Sequence, residues 1–312
     1  MAFTAQDVKA LREKTGVGMM ECKKALTEAD GDMDKALDFL RERGLAAAQK
    51  KAARIAAEGI VLSYTDMEAK KGVVIEVNSE TDFVAKNEKF VNFATDCAKL
   101  VISTGASTVE ELVATEYMGT GRTVTETLND LILSIGENMK IRRFEVMNGV
   151  VSTYVHGGGS VGVMIGFDVA DETKVTEPAF AEMGKNVAMQ IAAMNPAYLD
   201  EAAVPAEVIE HEQGILAAQM KEDPKMAAKP EAVLVKIAAG KMGKYFKENC
   251  LVEQEFVRSD LFQGSVKGYI DATANELGTE IKATGFIRMT RGEGLEKREE
   301  NFAEEIAKQI GQ

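Results

Sequence analysis

Apolar residues recur at helical spacing in three short bursts near the start of the chain. Val8 and Leu11 share a face behind Thr4, which pairs with Asp7 in a capping box. Met19 to Leu26 resumes the pattern after the break at Gly16-Val17-Gly18. Met33, Ala36, Leu37 and Leu40 repeat it behind Asp32, a good N-cap, and Gly44 stands where a helix commonly ends. The spacing predicts a three-helix head. Met19 and Met20 either fill its core or, with Lys23, offer a partner an adaptable surface; spacing alone favours the core. Leu45 to Ala57 is alanine-rich and carries Lys50, Lys51 and Arg54, which predicts a helical linker with a solvated positive face.

Beyond the linker the chain matches itself at an offset of 90 residues: Gly59 with Gly149, Tyr64 with Tyr154, Gly72 with Gly162, Ile75 with Ile165, Phe90 with Phe180. A single gap-free offset points to a two-copy duplication, not to a solenoid, which needs at least three units. Each copy reads as strand, turn, strand, helix. Gly72 to Val77 is β-rich, and Phe90, Phe93, Cys97, Leu100 and Val101 form the stripe of an amphipathic helix. Each copy closes with another helix and strand: Leu128 to Met139 then Lys140 to Val146, and Val266 to Leu277 then Glu280 to Arg288. Strands in one layer and helices in another make an α+β fold. The second copy holds an insertion of two helices opened by Pro205 and Pro230, either a projecting arm or a hairpin folded back on the core. Leu295, Phe302, Ile306 and Ile310 form a narrow stripe at the C-terminus. The expected divisions are a helical head and linker (1–54), a first half-core (55–147), a second half-core (148–290) with a hairpin at about 205–248, and a terminal helix (291–312).

Composition narrows the function classes. The 312 residues include 37 Lys+Arg and 50 Asp+Glu, a net charge of −13, which disfavours general nucleic-acid binding. Cys22, Cys97 and Cys250 are too scattered for a disulfide framework and favour a reducing cytoplasm. No apolar run suits a membrane span, and the N-terminus lacks the pattern of a signal peptide. With only His156 and His211, no metal-ligand cluster is apparent, and no nucleotide-binding loop motif occurs. The expectation is a cytoplasmic protein with no cofactor, no metal, no small-molecule substrate, and neither nucleic acid nor membrane as partner.

The repeat also marks what the two copies do not share. After its second strand the first copy reads Thr81-Asp82-Phe83-Val84-Ala85-Lys86-Asn87, and the second reads Asp171 to Glu177 with no aromatic. Phe83 falls outside the helical stripe, in a connection where binding residues collect. Spacing leaves it open as a core filler or an exposed anchor. Gly158 to Gly162 matches the G-x-S-x-G of a hydrolase elbow, but Ser160 is followed by a strand pattern where that motif demands a helix. The glycines instead suit a hairpin turn that lets backbone approach closely, with His156 as a polar contact on its surface.

Leu11 to Leu26, Thr81 to Asn87, and Ile135-Gly136-Glu137-Asn138 followed by Ile141-Arg142-Arg143 are similar to three motifs of the bacterial translation elongation factor Ts family. The likeness runs through the hairpin and the tail, and His156-Gly157-Gly158 sits where that family carries a histidine-glycine turn. The resemblance implies a nucleotide exchange factor without covalent chemistry of its own, whose partner is the GTPase elongation factor Tu. It implies a head like a ubiquitin-associated (UBA) domain that docks on the GTPase. Thr81, Asp82, Phe83 and Val84 would dislocate Mg²⁺ from the GTPase, disturb its phosphate site and release GDP. Met19, Met20, Lys23, Ile135, Gly136 and His156 are the further contact candidates, and the C-terminal helix would touch the nucleotide-binding domain as well.

Overall fold

The computed structural model describes residues 3–223 and 229–296. Helices α1 (Ala5–Thr15), α2 (Met19–Glu28) and α3 (Met33–Lys51) come first. Thr4 and Asp7 form the capping box, and the Asp32 carboxylate accepts from the amides of Asp34 and Lys35. Leu11, Val17, Cys22, Ala25, Leu26 and Leu40 are buried between the helices. Met19 and Met20 are not among them, at 51% and 74% exposed. Helical side chains lean toward the N-terminus, so those at the start of α2 overhang the bundle's end. Val17, from the preceding loop, is buried in their stead.

Gly44 does not end a helix. It lies inside α3, where α3 crosses α7 (Val124–Ile135). A Cβ there would stand 3.3 Å from both the Asn129 carbonyl oxygen and the Asp130 carboxylate. Of the alanine-rich stretch, Leu45 to Lys51 continues α3 and rests on α7 by one face only; Lys50 and Arg54 stay exposed, as a solvated positive face requires. Ala48 packs on the first core cluster and the Lys51 ammonium donates to the Ile132 carbonyl at 3.3 Å.

Two antiparallel three-stranded sheets follow. One runs β1 (Glu58–Asp66), β2 (Lys71–Ser79), β3 (Met139–Asn148); the other runs β4 (Val150–His156), β5 (Val161–Val169), β6 (Ile281–Thr290). Period-two alternation divides their side chains. Ile60, Leu62, Val73, Ile75 and Val77 face the helices α4 (Asp82–Ala85), α5 (Glu88–Thr104) and α7, with α6 (Val109–Ala114) beside them. Val61 and Val74 face the opposite way and meet Val151, Met164 and Met289 of the second sheet. That sheet carries α8 (Pro178–Met194) and α11 (Val266–Leu277) on its outer face. The order is helices, sheet, sheet, helices, not the two layers expected. The sheets approach through Gly72 and Gly162, where a Cβ would lie 2.7 Å from Val151 and 2.5 Å from Val61 respectively.

Element positions recur along the chain. β2 and β5, like α5 and α8, start 90 residues apart; α7 and α11, like β3 and β6, start 142 apart. A bulge interrupts the ladder between Glu76 and Val77, and another between Gly166 and Phe167. α7 begins at Val124, ahead of the expected Leu128, because Thr123 and Glu126 form a capping box. The extra residues in the second half hold α9 (Ala206–Glu222) and α10 (Glu231–Asn249), each N-capped by proline. These helices pack chiefly on each other, and α10 rests on the turn Leu251–Glu253 at its base. Among the described residues the hairpin is an arm and is not folded back on the core. The C-terminal stripe lies, from residue 297 on, outside the described residues.

One buried charge fastens the end of β6 to the first sheet. Glu76 is fully buried, and its Oε1 accepts from the Gly292 amide at 2.7 Å, Arg142 at 3.0 Å and Asn78 at 3.0 Å. Its Oε2 accepts from Arg143 Nε at 2.7 Å, and Arg143 also pairs with Glu293 at 3.2 Å. Burial pushes the Glu76 carboxyl up, but these donors together outweigh it and hold the group below the usual carboxylate range. As pH falls below the ordinary carboxylate value, the unfolded chain takes up a proton that folded Glu76 refuses. The contribution is thus complete at neutral pH and is lost as pH falls through the lowered value. Replacing Glu76 with Gln is expected to cost about 3 kcal/mol at pH 7, the low end for breaking a buried pair, because both guanidiniums keep some water. Urea unfolding at descending pH should show a smaller acid-dependent loss for the variant than for the parent; equal losses would remove Glu76 from the account.

Candidate functional site

β2 delivers Ser79, Glu80 and Thr81 to the start of α4. The Ser79 hydroxyl donates to the Thr81 carbonyl at 2.9 Å. Thr81 then donates twice to Glu137, from its amide at 3.0 Å and its hydroxyl at 2.7 Å. Glu137 follows Gly136, the left-handed C-cap of α7. Its neighbour Asn138 gives its amide to Glu80 at 2.5 Å and its side-chain nitrogen to the Arg54 carbonyl at 2.9 Å. Arg54 returns to Glu80 with its guanidinium at 3.3 Å. Three chain segments are thus cross-tied under α4.

On this brace sits a single helical turn. Successive helical residues point about 100° apart, so the turn cannot bury all its apolar side chains. Val84 and Ala85 are buried against the core, and Phe83 stands 78% exposed. Phe83 is therefore not a core filler. Lys86 lies beside it, 6.0 Å from the ring centroid, and pairs with Asp82 at 3.1 Å. Such an exposed pair is worth about 0–1 kcal/mol. Burying the ring on a partner would gain about 1.5–3 kcal/mol.

The other expected residues lie at different distances from this turn. Gly136 is exposed and Ile135 half-buried on the core, both joined to Thr81 through Glu137. Met19, Met20 and Lys23 are exposed on the head. The head is tied to the start of α5, just after α4, by Lys89 donating to the Gly16 carbonyl at 3.0 Å. His156 is exposed at the end of β4, its Nδ1 3.1 Å from the Tyr154 hydroxyl. The glycines beyond it serve an approach within the chain. Gly159, at φ 96°, accepts from the Val61 amide at 2.8 Å, and a Cβ there would lie 2.2 Å from Ile60. Ser160 donates to the His156 carbonyl at 3.1 Å and leads straight into β5, so it forms no nucleophile elbow.

The second half supplies a comparison. Asp171 donates its amide to Thr279 Oγ1 at 2.9 Å, the counterpart of the Thr81–Glu137 bond. Thr173 stands in Phe83's position and bonds back to Asp171 at 2.7 Å. One neutral bond replaces two to a carboxylate, and nothing aromatic projects. Sequence shows Glu137 and Asn138 only as part of a family motif and Arg54 only as part of the basic linker; Glu80 carries no sequence signal, and none of the four reads as a brace. Aligning the closing helices at their own offset sets Glu137 against Thr279 and would have exposed that difference.

Among the described residues no group of three or more His, Cys, Asp or Glu side chains is placed to hold a metal, and no helix is long and apolar enough to cross a membrane. All three cysteines are buried. Burial, the largest cause, pushes the Cys250 thiol up to about 11 and the Cys97 thiol higher still, so neither is a ready nucleophile.

The family model for Elongation factor TS matches residues 80–293, from the brace to the end of β6. The chain is 50% identical to Elongation factor Ts of Clostridium perfringens (strain SM101 / Type A) over 312 residues, 99% of each chain. It is 49% identical to Elongation factor Ts of Clostridium botulinum (strain Alaska E43 / Type E3) and 47% identical to that of Clostridium novyi (strain NT), again over 99% of each. The chain belongs to the elongation factor Ts family. Membership makes it a factor of protein biosynthesis, working in nucleotide exchange during translation elongation. The family match covers α4 and Glu137 but leaves out the head, which only the full-length relatives include.

Hydrogen bonds to a carboxylate contribute about 1.5–3 kcal/mol each, so Glu137→Gln should loosen α4 without unfolding the protein. The expected result is amide exchange about tenfold faster over residues 82–86 with a nearly unchanged melting temperature. Unchanged exchange there would mean that the brace does not hold the turn.

Proposed function

We propose that this elongation factor Ts family member speeds release of GDP from the GTPase elongation factor Tu by inserting Phe83 beside the nucleotide. Thr81, Asp82, Phe83 and Val84 form the intruding turn, which dislocates Mg²⁺ and disturbs the phosphate loop. Met19, Met20 and Lys23 of the head, with Ile135, Gly136 and His156, widen the contact. The observation that carries this reading is a large apolar ring held 78% in solvent on a braced one-turn helix. On this reading residues 1–54 are a UBA-like head and linker, 55–147 and 148–290 are two copies of one unit, and 291–312 are a terminal module. The protein acts in the cytoplasm, makes or breaks no covalent bond, and uses no cofactor.

Magnitudes require the broad contact. A 10⁴-fold acceleration corresponds to about 5.5 kcal/mol, whereas one buried Phe gives about 1.5–3 kcal/mol. The remainder must come from surfaces that fit the nucleotide-free GTPase better than the GDP-bound one, since only differential affinity shifts an equilibrium.

Phe83→Ala alters an exposed side chain, so stability should change by no more than about 0.5 kcal/mol. Stopped-flow release of labelled GDP should slow about 10- to 100-fold with this variant at equal concentration. Full activity with a normal melting curve would refute the intruding role.

A further inference from the structure

Among the described residues, the two halves differ in what covers their closing helices. In the first half, α3 lies on α7: Gly44 meets Asn129, Lys51 bonds to the Ile132 carbonyl, and Leu133 packs into the head. The matching face of α11, at the 142-residue offset, presents Asp271, Ala274 and Asn275, which line an open groove of about 1060 Å³. Its floor is Phe167, Ile270, Ile281 and Ala283. A helix about 10 Å across rising 1.5 Å per residue would fill that volume with about nine residues, some two and a half turns.

The lining is strongly acidic. Asp168, Glu172, Asp200, Glu253, Asp271 and Glu280 border the groove against Lys267 and Lys282. Glu172 pairs with Lys70 and Asp271 with Lys267, which still leaves carboxylates in excess. The equivalent groove is already filled by α3, whose small residues Gly44, Ala47 and Ala48 and whose Lys51 are at least partly buried, with Lys50 and Arg54 exposed beside them. Small side chains let a helix approach closely, and basic ones would answer this rim.

We propose that the groove between α11 and the second sheet is a docking site for a basic, alanine-rich helix of a partner protein. This occupant is seated as α3 is seated on α7. The proposal does not depend on the role of Phe83.

The probe is a fluorescein-labelled peptide of residues 44–57, titrated into the full-length protein and followed by anisotropy. Saturable binding is expected, weakened at least tenfold by Ala274→Trp, which obstructs the α11 wall of the groove, and by the double variant Asp168→Lys/Glu280→Lys, which reverses the rim. The double variant changes only exposed side chains and keeps the test valid if Ala274→Trp does not fold. No binding, or binding that neither variant weakens, overturns the proposal. So does binding lost instead on Asn129→Trp, which would mean that the peptide displaces α3. Concentration-dependent dimerisation abolished by the double variant would assign the groove to a second copy of this chain and overturn the partner named.

Discussion

The structure depends on the close contact between its two sheets. Gly72 and Gly162 remove the side chains that would hold β2 and β5 apart, and valine and methionine from the facing strands fill the space. Each residue type answers its counterpart across the interface, in the manner of an isologous contact. With the inner faces used on each other, helices can cover only the outer faces. The ends of the strands, where chain passes from sheet to helix, are left for other purposes. α4 is such an end.

Because the halves repeat each other's layout, their differences stand out. Glu76, buried among two arginines, has Gly166 as its counterpart, with Met147 and Thr284 close by. The first sheet alone carries a charge anchoring the end of β6. Glu137 has Thr279 as its counterpart, and Phe83 has Thr173. The first half holds its exposed aromatic with a doubled bond to a carboxylate; the second has a 3-10 turn, Glu172–Thr176, in that place and projects no aromatic. An exposed ring on loose backbone would lose entropy on docking, and a braced one loses less. That difference favours the first half as the place where recognition resides.

Much of this was legible in the sequence because periodicity and offset are collective signals. The offset of 90 located β2 and β5, and α5 and α8, without structural help. Prolines at 205 and 230 marked the arm's helices because proline suits a helix start. Single-residue questions were harder. Gly44 resembles a helix stop in isolation, yet it is the point where α3 touches α7, a tertiary contact with no local signature. Met19 and Met20 share the right spacing but lie at a helix start, where tilt carries side chains off the core. Phe83 sits in one turn, too short for a period to tell its two faces apart. The brace has no local sequence signature because Glu137 and Thr81 are 56 positions apart.

The account's central claim is that Phe83 acts by discrimination: it makes the protein prefer the nucleotide-free GTPase, beyond merely adding contact area. The most direct measurement is the ratio of two dissociation constants, for GDP-bound and nucleotide-free GTPase, compared between the parent and Phe83→Ala. Reciprocal coupling requires that ratio to equal the factor by which the protein weakens GDP. The account predicts a large ratio for the parent and at least a tenfold smaller one for the variant. An unchanged ratio, with both constants raised equally, would show that the ring supplies only uniform binding and would contradict the claim.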